Sequence, residues 1–255
     1  MPVRTPIVRF TALLLTCAVA ACASAPPASE PDALAEYKQN NDPLEPTNRF
    51  IYRINDGIDT YVLHPVAVAY RRVVPGAIRR PVHNVLNNIA APVRFANDVL
   101  QTRPRRAGDT MMRFLINTTA GVGGLFDVAT GLGYPNHDTD FGVTLALWGA
   151  GEGPFLFLPI LGPSSLRDGT GYAANIALDP FTYVTFGGQA AFEGSRFGVG
   201  LVDVRERLLD PIDQVKRNAL DPYATFRSLY RQNRQSEIDN TRNDDRATVP
   251  AWFNR

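Results

Sequence analysis

The 255-residue sequence predicts a mainly α-helical fold, and three observations carry that prediction. Between residues 42 and 119, and again between 190 and 235, apolar residues recur three or four apart, with Arg, Asn, Asp and Glu on the other side. Prolines punctuate the first of these regions at helix-length intervals, at Pro65, Pro75, Pro81, Pro92 and Pro104, and each except Pro81 suits the first turn of a new segment. The only cysteines are Cys17 and Cys22, so a fold beyond them rests on packing or on a bilayer, without a disulfide.

Residues 1–21 read as a signal peptide: Arg4 and Arg9 precede a run uncharged from Phe10 to Pro27, too short in its apolar core for the roughly 20 residues of a spanning helix. Val19-Ala20-Ala21-Cys22 resembles the lipobox of bacterial lipoproteins, in which cleavage precedes an acylated cysteine. Cys17, preceded by Thr16, fits that pattern less well. An ordinary signal with cleavage within "CASA" is the alternative. No acidic residue follows Cys22 directly, which resembles export to the outer membrane. Acyl chains add roughly 0.8 kcal/mol per buried methylene, enough in combination for a durable anchor. Residues 22–41, rich in Ala, Pro and Ser, read as a tether. Without residues 1–21 the chain has 24 basic and 25 acidic groups, a balance that gives nucleic acid no electrostatic footprint.

The folded domain is expected over 42–235. Asp42, Pro43 and Glu45 suit N-cap, N1 and N3 of a helix carrying Phe50, Ile51, Ile54, Ile58, Tyr61 and Val62 on one face. The proline spacing then predicts four or five short helices. At Gly121 the texture changes: Gly121, Gly123, Gly124, Gly131 and Gly133 argue for a loop or hairpin. Residues 141–166 carry Glu152 as their only charge but are broken by Gly and Pro. They suit either a buried strand pair or loop, or a segment at membrane depth shielded by protein. Helical spacing returns in "AAFEGSRFGVGLVDVRERLLDPIDQV" and "DPYATFRSLYRQNRQ", the latter opened by Asp221 as cap and Pro222 at N1. Residues 236–255 are polar and aperiodic and read as a disordered tail.

Reactive constellations are sparse. His64, His83 and His137 show no metal-ligand spacing and suit caps or surface positions. No GxSxG or Walker pattern occurs, and "GVGGLF" and "GAGEGP" place Phe126 and Pro154 where a dinucleotide loop needs its third glycine. Glu152 and Asp168 can be drawn as an acid pair or as turn residues. A protein that is not an enzyme and holds no metal or cofactor is expected.

"DPLEPTNRFIYRIND" resembles the opening motif of the MlaA (VacJ) lipoproteins, with Asp42, Pro43, Asn48, Arg49 and Asn55 in register. "LINTTAGVGGLFDVA" and "FGVTLALWGAGEGPFLFLPILGPSSLRDGTG", the latter containing Arg167 and Asp168, are similar to later blocks of that family. The resemblance implies a ring of amphipathic helices lying in the outer membrane around a central channel. It also implies removal of mislocalised phospholipid from the outer leaflet, transfer to the periplasmic carrier MlaC, and association with a trimeric porin. On that reading Gly121, Gly123, Gly124 and Gly133 belong to a hairpin that sets the channel's conformation, or else to a plain connection. A periplasm-facing lipid-binding or scaffold lipoprotein and an envelope hydrolase are the other readings.

Overall fold

The structure, a computed structural model, describes residues 42–244. Cys17, Cys22, the signal and the tether lie outside them, as do residues 245–255. The described chain is mainly helical. α1 (Glu45–Ile58) runs through a π-helical turn (Asp59–Leu63) into α2 (His64–Val73), and α3 (Gly76–Leu100) and α4 (Pro104–Thr119) follow. The short α5 (Val128–Gly131) and α6 (Phe141–Leu147) lead to the strands β1 (Phe155–Leu158) and β2 (Gly162–Ser165). α7 (Leu166–Leu178), a 3-10 turn (Pro180–Thr182), α8 (Gln189–Arg207), α9 (Leu209–Asn218) and α10 (Pro222–Arg242) complete the order.

The prolines divide the chain less than their spacing predicts. Pro65 stands in the first turn of α2, as expected, but without a break in the chain: α1 reaches it through a turn of π hydrogen bonding, one way of accommodating a residue without an N–H. Pro81 and Pro92 both lie inside α3, so one 25-residue helix replaces two predicted ones. Pro75 and Pro104, by contrast, stand at the starts of α3 and α4.

β1 and β2 pair antiparallel, with Phe155 opposite Ser165 and Leu158 opposite Gly162. This pair lies within the nearly uncharged stretch, so part of 141–166 forms the strand pair that its sequence allows, after the helix α6. The hairpin expected at the glycine-rich segment is not found. Residues 120–125 form successive turns, with positive φ at Val122, Gly123 and Gly124, and these coil the chain too tightly for a ladder.

Phe155, Phe157 and Tyr223 form an aromatic core closed by Ile51, Tyr52 and Tyr230. The Tyr52 and Phe157 rings meet edge to face at 5.4 Å, a favoured arrangement. A smaller cluster joins Val143 and Ala146 of α6 to Ile238 of α10. That contact corrects the expected tail: α10 continues to Arg242, with Ile238 and Thr241 buried. Two buried residues in a polar stretch leave no periodicity to read. Bonds from Asn233 to Glu237 and from Gln235 to Asp239 support the helix's outer side.

Burial is distributed against the usual rule. Among the described residues, 11 hydrophobic side chains are buried against 17 polar or charged ones, while 30 large hydrophobics are exposed. Soluble domains place these classes the other way round. No described helix is long and apolar enough to cross a membrane.

Candidate functional site

An open cavity of about 1080 Å³ lies between the end of α1, the β1–β2 turn, the end of α7 and the 3-10 turn, α8, α9 and α10. Its wall is mostly apolar, with Ile160 and Leu161 from the turn, Phe197, Leu201 and Val204 from α8, and Phe226 and Leu229 from α10. Such a volume exceeds the roughly 300–1,000 Å³ of small-molecule pockets. One edge is ionic. Arg205 donates to Asp59 at 2.6 and 3.1 Å and to Asp213 at 3.2 Å, while Lys216 reaches Asp56 at 2.6 Å and Asp59 at 2.7 Å. Burial pushes the Asp59 carboxyl up, but the bonds from Arg205 and Lys216 outweigh it and hold the group below the ordinary carboxylate range. Arg205 Nη1 is buried without a partner. Apolar walls beside fixed charges suit an amphiphile.

The motif residues chosen from sequence hold the hairpin beside this cavity. Asn48 and Asn55 are seven residues apart, two turns of α1, and therefore share a face. Asn48 donates to the Phe155 carbonyl at 3.0 Å and accepts from the Phe157 N–H at 2.9 Å, so it pairs the edge of β1 that β2 leaves open. Asn55 donates to the Leu158 carbonyl at 2.8 Å and accepts from the Ile160 N–H at 2.9 Å. Asp42 is not the N-cap that its spacing suggests; Leu44 takes that place. The Asp42 carboxylate is instead buried, accepting from Asn48 at 2.8 Å, from Arg227 at 2.7 Å and from the Tyr223 hydroxyl. Pro43 lies in the turn before α1. Arg49 spans Glu45 and Asp221 and lies 4.4 Å from the centre of the Tyr223 ring.

Arg167 and Asp168 anchor the other side. Asp168 accepts from Arg167 Nε at 2.9 Å, from Arg234 at 2.9 and 3.1 Å, and from the Tyr230 hydroxyl. Burial raises its pKa, yet the two guanidinium groups more than compensate and hold it low. Gly142 is needed there because a Cβ would overlap Arg234 and Asp168. Glu152 pairs with Arg231 at 3.4 Å, so the two carboxylates once drawn as an acid pair occupy separate ionic settings. Tyr223, Arg227, Arg234, Arg205 and Lys216 were missed by sequence reasoning. Their partners lie a hundred residues or more away in most cases, and a single sequence carries no signal for that pairing.

None of Gly121, Gly123, Gly124 and Gly133 lines the large cavity. The turn holding the first three adjoins a second, smaller pocket of about 130 Å³ between α3, α4 and the loop that follows α5. Gly121 and Gly124 have no room for a Cβ, which would meet the Asn117 and Phe126 backbone in one case and the Asn88 side chain in the other. Gly133 has a φ of 88°, so its turn too favours glycine. Each histidine faces an aspartate, His64 with Asp213, His83 with Asp203 and His137 with Asp98; His64 and His83 stay partly exposed, and only His137 departs from the expected surface position. His137 and Asp98 are buried.

A helical protein with buried charges, an apolar exterior and a large amphiphilic cavity belongs by its physical chemistry among lipid-handling proteins. The chain belongs to the MlaA lipoprotein family, whose sequence model matches residues 40–237. It is 38% identical over 203 residues to a protein of Rickettsia bellii, covering 79% of this chain and 78% of that one. It is 34% identical over 234 residues, 90% of each chain, to the intermembrane phospholipid transport system lipoprotein MlaA of Haemophilus influenzae. A solved structure reported under "Structural basis for maintenance of bacterial outer membrane lipid asymmetry" matches with a TM-score of 0.68 at 34% identity, covering 77% of this chain and 98% of that one.

Proposed function

We propose that this chain is an outer-membrane lipoprotein, anchored through Cys22, that removes mislocalised phospholipid from the outer leaflet and passes it to a periplasmic carrier. The observation that carries this reading is the inverted burial, with charges buried and large hydrophobic side chains exposed, most of them away from the cavity wall. Tyr61, Val73 and Trp148 are among those left exposed. An outward apolar surface on helices too polar to span suits helices lying in the plane of a bilayer, arranged as a ring. The names of the relatives, phospholipid transport lipoproteins, support it.

In this reading the large cavity is part of the passage through the ring. Acyl chains lie against Phe197, Leu201 and Leu229, and the headgroup stays near Arg205, Asp59 and Lys216, which spares it transfer into hydrocarbon. The movement needs no covalent step. A trimeric porin beside the ring and MlaC as the periplasmic acceptor complete the assembly. The turn of Gly121, Gly123 and Gly124 then acts from a distance, by setting α4 against α3. In cells lacking the chain, complementation with the Phe197→Asp or Leu201→Asp variant is expected to leave phospholipid in the outer leaflet at normal protein level. Restored asymmetry in both would overturn the assignment of the cavity. A Cys22→Ala chain exported with a non-lipoprotein signal should still need detergent for extraction; release into buffer would favour the scaffold reading.

A further inference from the structure

The smaller pocket holds chemistry that the large cavity does not use. Arg94 of α3 lines it with its side chain only 12% exposed, and among the described residues its single polar partner is Asp138 at 3.4 Å, a carboxylate that is itself 80% exposed. A guanidinium carries five N–H donors, so most of Arg94's donors are left to whatever enters the pocket. Burial lowers its pKa by more than Asp138 and Asp98 raise it, whereas the tightly paired Arg234 is held above its ordinary value. The second arginine of the lining, Arg113, is already engaged by Asp127 at 2.9 and 3.0 Å and by the Tyr134 carbonyl at 2.6 Å. Of the two lining arginines Arg94 is the more weakly engaged: it has one long contact to Asp138, with Asp98 acting on it only at a distance.

The same pocket is lined by His137, its side chain 8% exposed. Its Nε2 lies 2.9 and 3.0 Å from the two oxygens of Asp98, an arrangement in which Nε2–H donates to the carboxylate. Thr110 Oγ1 donates to the same carboxylate at 2.7 Å. In the neutral ring that leaves Nδ1 as a buried acceptor, and it has no partner among the described residues. Buried polar atoms of this kind are normally satisfied, so the pocket lacks a hydrogen-bond donor for His137 and offers the spare donors of Arg94.

We infer that this pocket binds a phosphate group that carries, on itself or on a short neighbouring arm, a hydroxyl or ammonium donor: the phosphate on Arg94, the donor on His137 Nδ1. Arginine favours phosphate through paired, charge-assisted bonds. The volume of about 130 Å³ admits such a head but no acyl chain. Lipid headgroups and inorganic hydrogen phosphate share this chemistry. If the source is lipid, the inference deepens the phospholipid reading and rests on it, supplying a headgroup station apart from the large cavity.

Detergent-solubilised full-length protein is titrated by calorimetry with inorganic phosphate, glycerophosphoethanolamine and glycerophosphocholine. Saturable binding is expected, with the ethanolamine form tighter than the choline form, whose quaternary nitrogen has no hydrogen to donate. Inorganic phosphate binding as tightly as the ethanolamine form would identify free phosphate as the ligand; weaker binding would identify the lipid headgroup. Arg94→Gln should weaken binding about tenfold or more, and Arg94→Lys, which keeps the charge, should recover part of it. His137→Gln retains a donor toward Asp98 but removes Nδ1, so it should keep phosphate affinity and abolish the preference for ethanolamine over choline. A simply structural role for His137 would not produce that selective loss. Absence of saturable binding by the unmodified protein, or unchanged affinity in folded Arg94→Gln, would overturn the inference. Either result leaves the transport reading standing, because that reading is decided by outer-leaflet lipid in cells.

Discussion

The two ends of the β1–β2 hairpin differ in what holds them. At the strand end, Phe155, Phe157 and Ser165 are buried, Asn48 saturates the open edge of β1, and Tyr223 and Tyr230 close over the rings. At the turn, Ile160 and Leu161 are 47% and 40% exposed, and Ile160 has a φ of 67°, a left-handed conformation unfavourable for a β-branched residue. One asparagine, Asn55, tethers that turn, which forms part of the cavity wall. A segment of eleven residues therefore has one end fixed by core packing and buried charge, and another that is strained and lightly held. The lesson is that ion pairs position the frame here, while the apolar side chains facing the cavity are left free for contact.

The comparison breaks most readily at its buried charges. Asp168→Ala leaves Arg167 and Arg234 in the interior without their shared carboxylate, and a loss of about 3–5 kcal/mol is expected in denaturant unfolding. Asn48→Ala orphans the Phe155 carbonyl and the Phe157 N–H together and should cost about 2–4 kcal/mol, with α1 itself retained.

Those two asparagines of α1 show how far the sequence could be read. Their spacing put Asn48 and Asn55 on one face, and Asp221-Pro222 announced the start of α10, which the structure places there. What they face was hidden, because "FLFL" is too short and too apolar to declare itself a strand rather than a buried turn of helix. Asp42 fitted a cap by local spacing, yet Arg227 and Tyr223, some 180 residues away, claim it. Pro92 fitted a helix start, yet packing along α4 carries α3 through it. The end of α10 was invisible for a related reason, since Ile238 is the one apolar residue in its last turns that packs on α6. Local signals were legible where local chemistry decides, and failed where a distant partner decides. The cavity and the small polar pocket, built from several elements each, belong to the second kind.

Acid should loosen the frame before it alters the turn. Asp59, Asp127, Asp168, Asp213 and Asp221 all have folded pKa values held below the ordinary carboxylate value. Below about pH 4 the unfolded chain therefore takes up protons before the folded one, and stability present at neutral pH declines as the pH drops further. Thermal melts followed by circular dichroism should show a falling midpoint as the pH drops through that window. The smallest effect belongs to the turn itself. Ile160→Gly relieves the left-handed strain at the expense of backbone entropy, so stability should stay within about 1 kcal/mol of the unmodified protein. A loss there as large as that of Asn48→Ala would show that the two ends are held alike.

The central claim is that the apolar cavity beside this turn receives phospholipid. A photoreactive amino acid at position 201, on the α8 wall, tests it in the membrane. Irradiated cells should yield the chain covalently joined to phospholipid, identified by mass spectrometry, and the adduct should diminish when Phe197→Asp is added. Adducts with water or protein alone, and none with lipid, would contradict the account.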